Sequence, residues 1–318
     1  MPVTLAQAKL NTQDDIDLQV IDEFRKSSWL LDNMVFDDVV NPAGGGATLT
    51  YGYTRLVTQP TAAFRAINSE YVPTEVTRQR YTTDLKVLGG SFQIDRVLAK
   101  VGPALSGEVA LQMSQKIKAA RSKFQDAVIN GDSAVDAQSF DGLDKALTGS
   151  STEIDAAAGT GYDWSAVNSQ ATGVAALKFL RRLHAKLDGR PSAFLMNGDA
   201  LAALETIADF VSQLGTLDAF GQTITTWRGI PLIDLGEKPG TSDPVIPTAA
   251  GLTDIYAVRI GLDGFTGIST VGGQLVQQFL PDFTTPGAVK TGEVEMGPVG
   301  VALKATKAAA VLRGIKVA

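Results

Sequence analysis

The apolar positions of this chain change period along its length, and the clearest period is helical. Leu105, Val109, Met113, Ile117, Ala120, Phe124 and Val128 recur at intervals of 4, 4, 4, 3, 4 and 4. That spacing predicts one stripe on an α-helix of about 25 residues, roughly 37 Å long at 1.5 Å per residue. Pro103 suits its first turn and Gly131 its C-cap, and Lys116, Lys118, Arg121 and Lys123 favour its C-terminal half through the helix dipole. A second, shorter helix is predicted over 14–26. There Ile16, Val20, Ile21 and Phe24, with Leu31 beyond, keep near-helical spacing, Asp14 and Asp15 fall in the first turn, and Arg25 and Lys26 fall in the last.

Between the two helices the pattern becomes β-like. Thr48–Thr58 and Glu75–Val87 read as strands, and neither shows a clean apolar face. Two paired strands with mostly polar faces make no core alone, so the pair reads as a long arm that projects and finds partners elsewhere. Beyond the long helix, 131–172 reads as loops. A helix then carries Val174, Leu177, Leu180, Leu183 and Leu187 and stops at Gly189-Arg190-Pro191. Ala193–Met196 reads as a buried strand. Asn197 or Asp199 is placed to cap a further helix with Leu201, Leu204, Ile207 and Phe210 inward. Trp227–Leu235 and Asp254–Ile260 read as strands. From Leu275 to Val317 the pattern is strands, with turns at Pro281, Pro286-Gly287 and Gly297-Pro298.

Composition narrows the chemistry. The 318 residues are 44% hydrophobic and 19% charged, as in a globular chain, with 32 glycines that suggest many turns. There is no cysteine, so disulfides, thiolate metal sites and cysteine nucleophiles are excluded, and the single histidine, His184, is too few for a structural zinc site or an HExxH protease. The net charge is −6, which argues against a broadly basic nucleic-acid surface. No apolar run approaches a membrane span of about 18 residues. The leading segment lacks the pattern of a secretory signal, so synthesis in the cytosol is expected.

The charge is also uneven. Residues 1–40 carry three basic and eight acidic side chains, for a net of −5, whereas residues 49–86 carry a net of +2. An acidic arm and a basic hairpin in one chain invite contact between copies. Asp14, Asp15, Asp17 and Glu23 on one side, and Arg55, Arg65, Arg78 and Arg80 on the other, are the candidates for that contact.

No motif argues for catalysis. Gly261, Gly264 and Gly267 form G-x-x-G-x-x-G with no helix after it, so they read as turn glycines and not a phosphate cradle. Lys290-Thr291-Gly292 lacks the Ser-x-x-Lys partner of a β-lactamase-type site. Asp132, Asp136, Asp141 and Asp144 miss the EF-hand spacing and read as turn aspartates. His184, in Leu-Arg-Arg-Leu-His-Ala-Lys, reads as a surface histidine near a helix C-terminus. The basic positions of the long helix lack interleaved aromatics, so a solvated or subunit-facing surface is at least as good a reading as nucleic-acid binding.

The order of elements, together with several short stretches, resembles the major capsid protein of tailed double-stranded DNA bacteriophages, an α+β chain of the Hong Kong 97-type fold. The stretches are Val128-Ile129-Asn130-Gly131-Asp132, Ser139-Phe140-Asp141-Gly142-Leu143, Phe194-Leu195-Met196-Asn197, Trp227-Arg228-Gly229-Ile230-Pro231-Leu232 and Ala308-Ala309-Ala310-Val311-Leu312. The resemblance implies an N-arm over 1–47 and an extended E-loop over 48–86. It implies a peripheral domain over 87–134 and 271–300, containing the spine helix, and an axial domain over 135–270, with 301–318 as a candidate addition. It implies a non-enzymatic subunit that assembles into pentamers and hexamers around double-stranded DNA without reading its sequence, in a virion built in the host cytoplasm. No cofactor and no membrane partner are implied.

Lys116 and Lys123 are the resulting candidates for a basic inner face, while the acidic excess suits a lining that does not grip DNA. A portal is expected, and because the arm begins close to Met1 the scaffolding is expected to be a separate protein, the alternative being a segment cut from a longer precursor; a decoration protein is a further candidate partner. Some relatives weld the shell through a lysine at the E-loop tip; residues 49–85 contain none, so no covalent mesh is expected. An encapsulin-type nanocompartment is the nearest alternative. A metabolic α/β enzyme is a more distant one, since it leaves the polar hairpin and acidic arm without a purpose.

Overall fold

The computed structural model describes residues 28–40, 42, 46, 48–97, 103–156, 161–211, 214–219, 222–270 and 275–318. The helix predicted over 14–26 lies outside them, as do Asp14, Asp15, Asp17 and Glu23.

The described chain begins with a short helix, α1 (Trp29–Asn33), capped by Ser28, whose hydroxyl accepts from the Leu31 amide at 3.3 Å. The same hydroxyl donates to Gln125 Oε1 at 2.6 Å, which ties this segment to the long helix. That helix, α2, runs Pro103–Asn130. The apolar stripe is where the spacing placed it: Met113, Ala120, Phe124 and Val128 are buried, with Val109 and Ile117 packed against the same cores. Gly131 follows the helix, but for closeness and not for a left-handed turn. A Cβ there would lie 2.3 Å from the Phe140 carbonyl oxygen, and the Gly131 carbonyl accepts from the Gly142 amide at 2.7 Å.

Two sheets flank the helix. A five-stranded sheet has the order β1 (Phe36–Asp37), β11 (Phe265–Ser269), β13 (Val289–Leu303), β12 (Val276–Phe279), with β4 (Lys86–Asp95) also paired to β13. Phe92 of β4 and Val294 of β13 meet Met113 of α2. Gly297-Pro298, expected to be a turn, is instead a bulge inside β13, where the β4 register shifts between Met296 and Val299. Proline has no amide to give a ladder, and a bulge is where a strand tolerates it. Gly267, read as a turn glycine, lies within β11, where an added Cβ would sit 2.5 Å from the Phe36 ring.

The seven-stranded sheet has the order β5 (Glu153–Asp155), β14 (Ala309–Lys316), β10 (Leu252–Val258), β6 (Ala193–Met196), β9 (Ile230–Asp234), β8 (Gln222–Trp227), β7 (Leu214–Ala219). Strand β6 is buried on both faces, and its side chains alternate between two cores. Phe194 and Met196 join the core under α4 (Gln170–Lys186) and α5 (Gly198–Val211), while Ala193 and Leu195 join the core that contains Phe124 and Val128 of α2.

Asn197 caps α5: its Oδ1 accepts from the Ala200 amide at 2.9 Å, and its amide nitrogen donates to Ile246 O, Thr248 Oγ1 and Thr253 Oγ1. Ser169 and Thr172 form a capping box for α4. Val174 and Phe210, expected inward, are exposed, because α4 and α5 bury narrower stripes than the leucine spacing suggested. The 131–172 segment is not all loop, since it holds α3 (Leu143–Leu147) and β5. Trp227–Leu235 is not one strand. Arg228 and Gly229 both take positive φ, 53° and 73°, and turn β8 into β9, the left-handed pair that a two-residue hairpin requires.

Residues 265–269, grouped with the middle lobe by sequence, pair with β13 in the five-stranded sheet. The final strand β14 sits between β5 and β10 in the seven-stranded one.

Candidate assembly interface

The arm is an antiparallel hairpin of β2 (Thr50–Leu56) and β3 (Arg78–Asp84), in register from Thr50↔Asp84 to Leu56↔Arg78. Its period-2 alternation sends Tyr51, Tyr53 and Arg55 to one face, and that face is bound to the body of the same subunit. Tyr51 OH donates to Asp37 Oδ2 at 2.8 Å, and Lys304 Nζ reaches the same oxygen at 2.8 Å. Tyr53 OH donates to the Leu303 carbonyl at 3.1 Å and its ring stacks on Tyr81, with centroids 5.8 Å apart. Arg55 donates to the carbonyls of Lys304 and Leu303 and to Thr306 Oγ1, with its guanidinium 4.4 Å from the Tyr81 ring centre. Tyr51 also packs with Val40, Leu85, Ile268 and Ala302 in a small core of its own.

Charge fixes this root. Burial pushes the Asp37 carboxyl up, but hydrogen bonds from Lys304, Tyr51 and the Val39 amide outweigh it and hold its pKa below the ordinary value. Burial alone would lower Lys304, yet its bonds to Asp37 and Tyr51 raise it. Each partner therefore holds the other in its charged form.

Beyond the root the arm leaves the body. Its strands are joined by Val57 N–H to Thr77 O at 2.9 Å and by the Thr58–Thr77 hydroxyl pair at 2.7 Å, and further out by Thr61 and Thr74. The tip turns at Asn68, whose φ is 68°. Here the expectation of a polar arm fails. Phe64 and Ile67 are 106% and 92% exposed, and Leu56, Val57, Tyr71 and Val72 are exposed with them. A second exposed apolar group, Val97, Phe279, Leu280 and Val289, lies at the far end of the β4–β13–β12 ribbon. Exposed apolar clusters of this kind mark interaction surfaces.

The charged candidates fall into different roles. Arg55 is committed to its own subunit at the arm root. Arg65 closes the tip turn, donating to the Ala66 and Ser69 carbonyls with its guanidinium 5.4 Å from the Tyr71 ring centre. Arg78 and Arg80 stand exposed on β3 and remain outward-facing. Lys116 and Lys123 sit on α2. The stem of Lys116 runs over Gly90, and Lys123 pairs with Asp126 at 3.0 Å. The apolar tip residues were missed because Phe64, Ile67 and Val72 follow no strand or helix period. The available signal was that Phe64, Ile67 and Tyr71 sit in a segment with no predicted core to join.

Among the described residues no cluster of three or more His, Asp or Glu could hold a metal ion, and no helix is long and apolar enough to cross a membrane. Asp132 and Asp141 instead share Lys145, at 2.5 and 2.9 Å.

A projecting hairpin, a long helix laid along a five-stranded sheet and a separate seven-stranded α/β layer together make the Hong Kong 97-type capsid fold. Among solved structures, the chain is similar to the encapsulin SrpI of Synechococcus elongatus, with a TM-score of 0.66 and 16% identity over 100% of this chain and 97% of that one. It is similar to the capsid of the native GTA particle, at 0.64 and 14% over 97% of each chain. It is also similar to a chain of Mycobacterium phage Ogopogo, at 0.62 and 12% over 98% of this chain and 99% of that one. No family profile and no curated protein matches the sequence.

Proposed function

We propose that this chain is a major capsid protein of a tailed double-stranded DNA phage, a non-enzymatic subunit that forms pentamers and hexamers of an icosahedral head. The observation that carries the reading is the arm: its root is locked to the body by Asp37, Lys304 and Arg55, while its tip presents Phe64, Ile67 and Val72 to solvent. An exposed apolar tip has no use within its own subunit and gains by burial on another. Relatives of this fold named as capsids of the GTA particle and of phage XM1 support the same conclusion.

On this reading the seven-stranded sheet with β14 is the axial domain, and the five-stranded sheet with α2 is the peripheral domain. On the same reading residues 265–269 go with the peripheral domain, since β11 is hydrogen-bonded to β13. Scaffolding, portal and decoration proteins and packaged DNA are the partners such a subunit takes, in a virion assembled in the host cytoplasm.

Negative-stain microscopy of the purified chain tests the proposal. Rings or shells are expected, and a solitary particle at micromolar concentration would overturn it. The likeness to an encapsulin keeps a nanocompartment as the second reading, and the contents of the shell, DNA or protein, decide between the two.

A further inference from the structure

The end of the seven-stranded sheet where β6 and β9 begin holds a basic depression apart from the arm. Its volume is about 530 Å³, and it is lined by two guanidinium groups, Arg190 from the loop after α4 and Arg228 from the β8–β9 turn, with the His184 imidazole from the last turn of α4 beside them. Leu187 and Ile230 give it an apolar wall, and no carboxylate lines it. Like charges gathered without a counter-charge repel one another, so such a group is relieved when an anion enters.

Three details indicate that the cluster is built. Arg190 Nη2 donates to the Gly229 carbonyl at 2.6 Å, which fixes the turn that carries Arg228. Arg228 holds a φ of 53°, where Asn or Gly is the ordinary occupant of a two-residue hairpin and a longer side chain is strained. The Arg228 guanidinium lies 4.8 Å from the centre of the Trp227 ring, and His184 meets the same ring edge-on at 6.3 Å. Trp227 is wholly buried between them, and its Nε1 has no hydrogen-bond partner among the described residues. The neighbouring charges are accounted for elsewhere: Arg259 pairs with Asp263 at 2.8 Å, and Asp188, the nearest acid in sequence, is outside the lining.

We propose that this depression binds an oxyanion, a phosphate or carboxylate group borne on a small organic molecule. Arg228 and Arg190 supply charge-assisted hydrogen bonds in the planar geometry that both groups accept. His184 adds a third donor, and Leu187 and Ile230 pack against the body of the ligand. The volume lies within the range of about 300–1,000 Å³ usual for small-molecule sites. The inference concerns the single subunit and stands whether or not shells form.

The test uses the purified full-length chain, titrated separately with pyrophosphate and with citrate while tryptophan fluorescence is followed. At least one probe is expected to give a saturable change that weakens with added salt; which one responds identifies phosphate or carboxylate as the preferred group. Arg228→Asn keeps a residue that tolerates the left-handed turn, and Arg190→Gln removes the second cation. Each is expected to weaken binding tenfold or more, with a melting temperature close to that of the parent for Arg228→Asn. No saturable response to either probe at millimolar concentration, or both variants titrating like the parent, would overturn the assignment.

Discussion

Arg313 shows how much of this structure rests on single side chains. From β14 it reaches Asp144 at 2.6 Å, Asp254 at 3.0 Å, Glu153 and Thr148 Oγ1, while Tyr256 OH donates to the same Asp144 oxygen at 3.1 Å. One guanidinium thus serves three carboxylates from α3, β5 and β10. Burial pushes the Asp254 carboxyl above its ordinary value even though the Gly314 amide and Arg313 draw it down. Because the folded-state value is raised, the cost of keeping Asp254 ionised is present at high pH and relieved as pH falls through that value. Arg313→Leu leaves all three carboxylates without their cation. It should destabilise the chain by about 3 kcal/mol at neutral pH, toward the low end of what a broken buried pair costs because the site is partly exposed. The loss should shrink on acidification. Thermal melts of parent and variant at pH 7 and pH 5 check this, and an unchanged gap would count against it. Gly131→Ala tests packing in the same way. Its Cβ would fall 2.3 Å from the Phe140 oxygen and 2.4 Å from the Ala127 oxygen, both backbone atoms with little room to give. A loss of about 1–3 kcal/mol is expected.

At the scale of elements, the arm root joins β1, β2 and the end of β13 through one carboxylate. Asp37 has a lowered pKa in the folded chain, so its stabilisation is complete above the unfolded value near 3.8 and is lost as pH falls through the lower folded value. Asp37→Asn should remove about 1–2 kcal/mol at neutral pH and raise hydrogen exchange at the amides of Tyr51–Arg55. The difference between parent and variant should narrow progressively as pH falls below 3.8 toward the lower folded value, and a difference that does not narrow over that range would show that the carboxylate's charge is not what holds the root.

Sequence made some of these elements plain and hid others. The spine helix was legible because its apolar residues recur on a single stripe, from which Met113 enters one core and Phe124 and Val128 another. The arm was legible as a pair of strands, but its anchoring face was not, since Tyr51, Tyr53 and Arg55 bind through hydroxyls, a guanidinium and ring faces that no hydropathy pattern records. The β8–β9 hairpin was read as one strand because Arg228 stands where Asn or Gly normally signals the turn. The Arg313 cluster was beyond reach for another reason: its acidic partners lie 59 to 169 residues away in sequence.

For the whole molecule, the apolar arm tip and the absence of lysine from residues 49–85 lead, on the function proposed above, to one expectation about how a shell of these subunits would be held. Phe64, Ile67, Leu56 and Val72 offer area for burial on a neighbour, at about 25 cal/mol per Å² of apolar surface. Interfaces in permanent assemblies commonly exceed 2,000 Å² or so, and arms that reach across subunit boundaries add to that area without enlarging the body. No ε-amino group is available along that arm to form an amide with a neighbour's side chain. Cohesion by this arm is therefore expected to be non-covalent, with the exposed cations Arg78 and Arg80 steering register more than adding affinity. Phe64→Asp combined with Ile67→Asp should leave the subunit folded, since neither side chain contributes to a described core, and should abolish rings and shells in microscopy. Parent particles boiled in detergent should run as a single band of monomer mass on a gel. A ladder of multimers would place a covalent bond somewhere other than the arm and transfer the cohesion of the shell to it. Assembly that survives both aspartates would leave the exposed tip without the role argued for it.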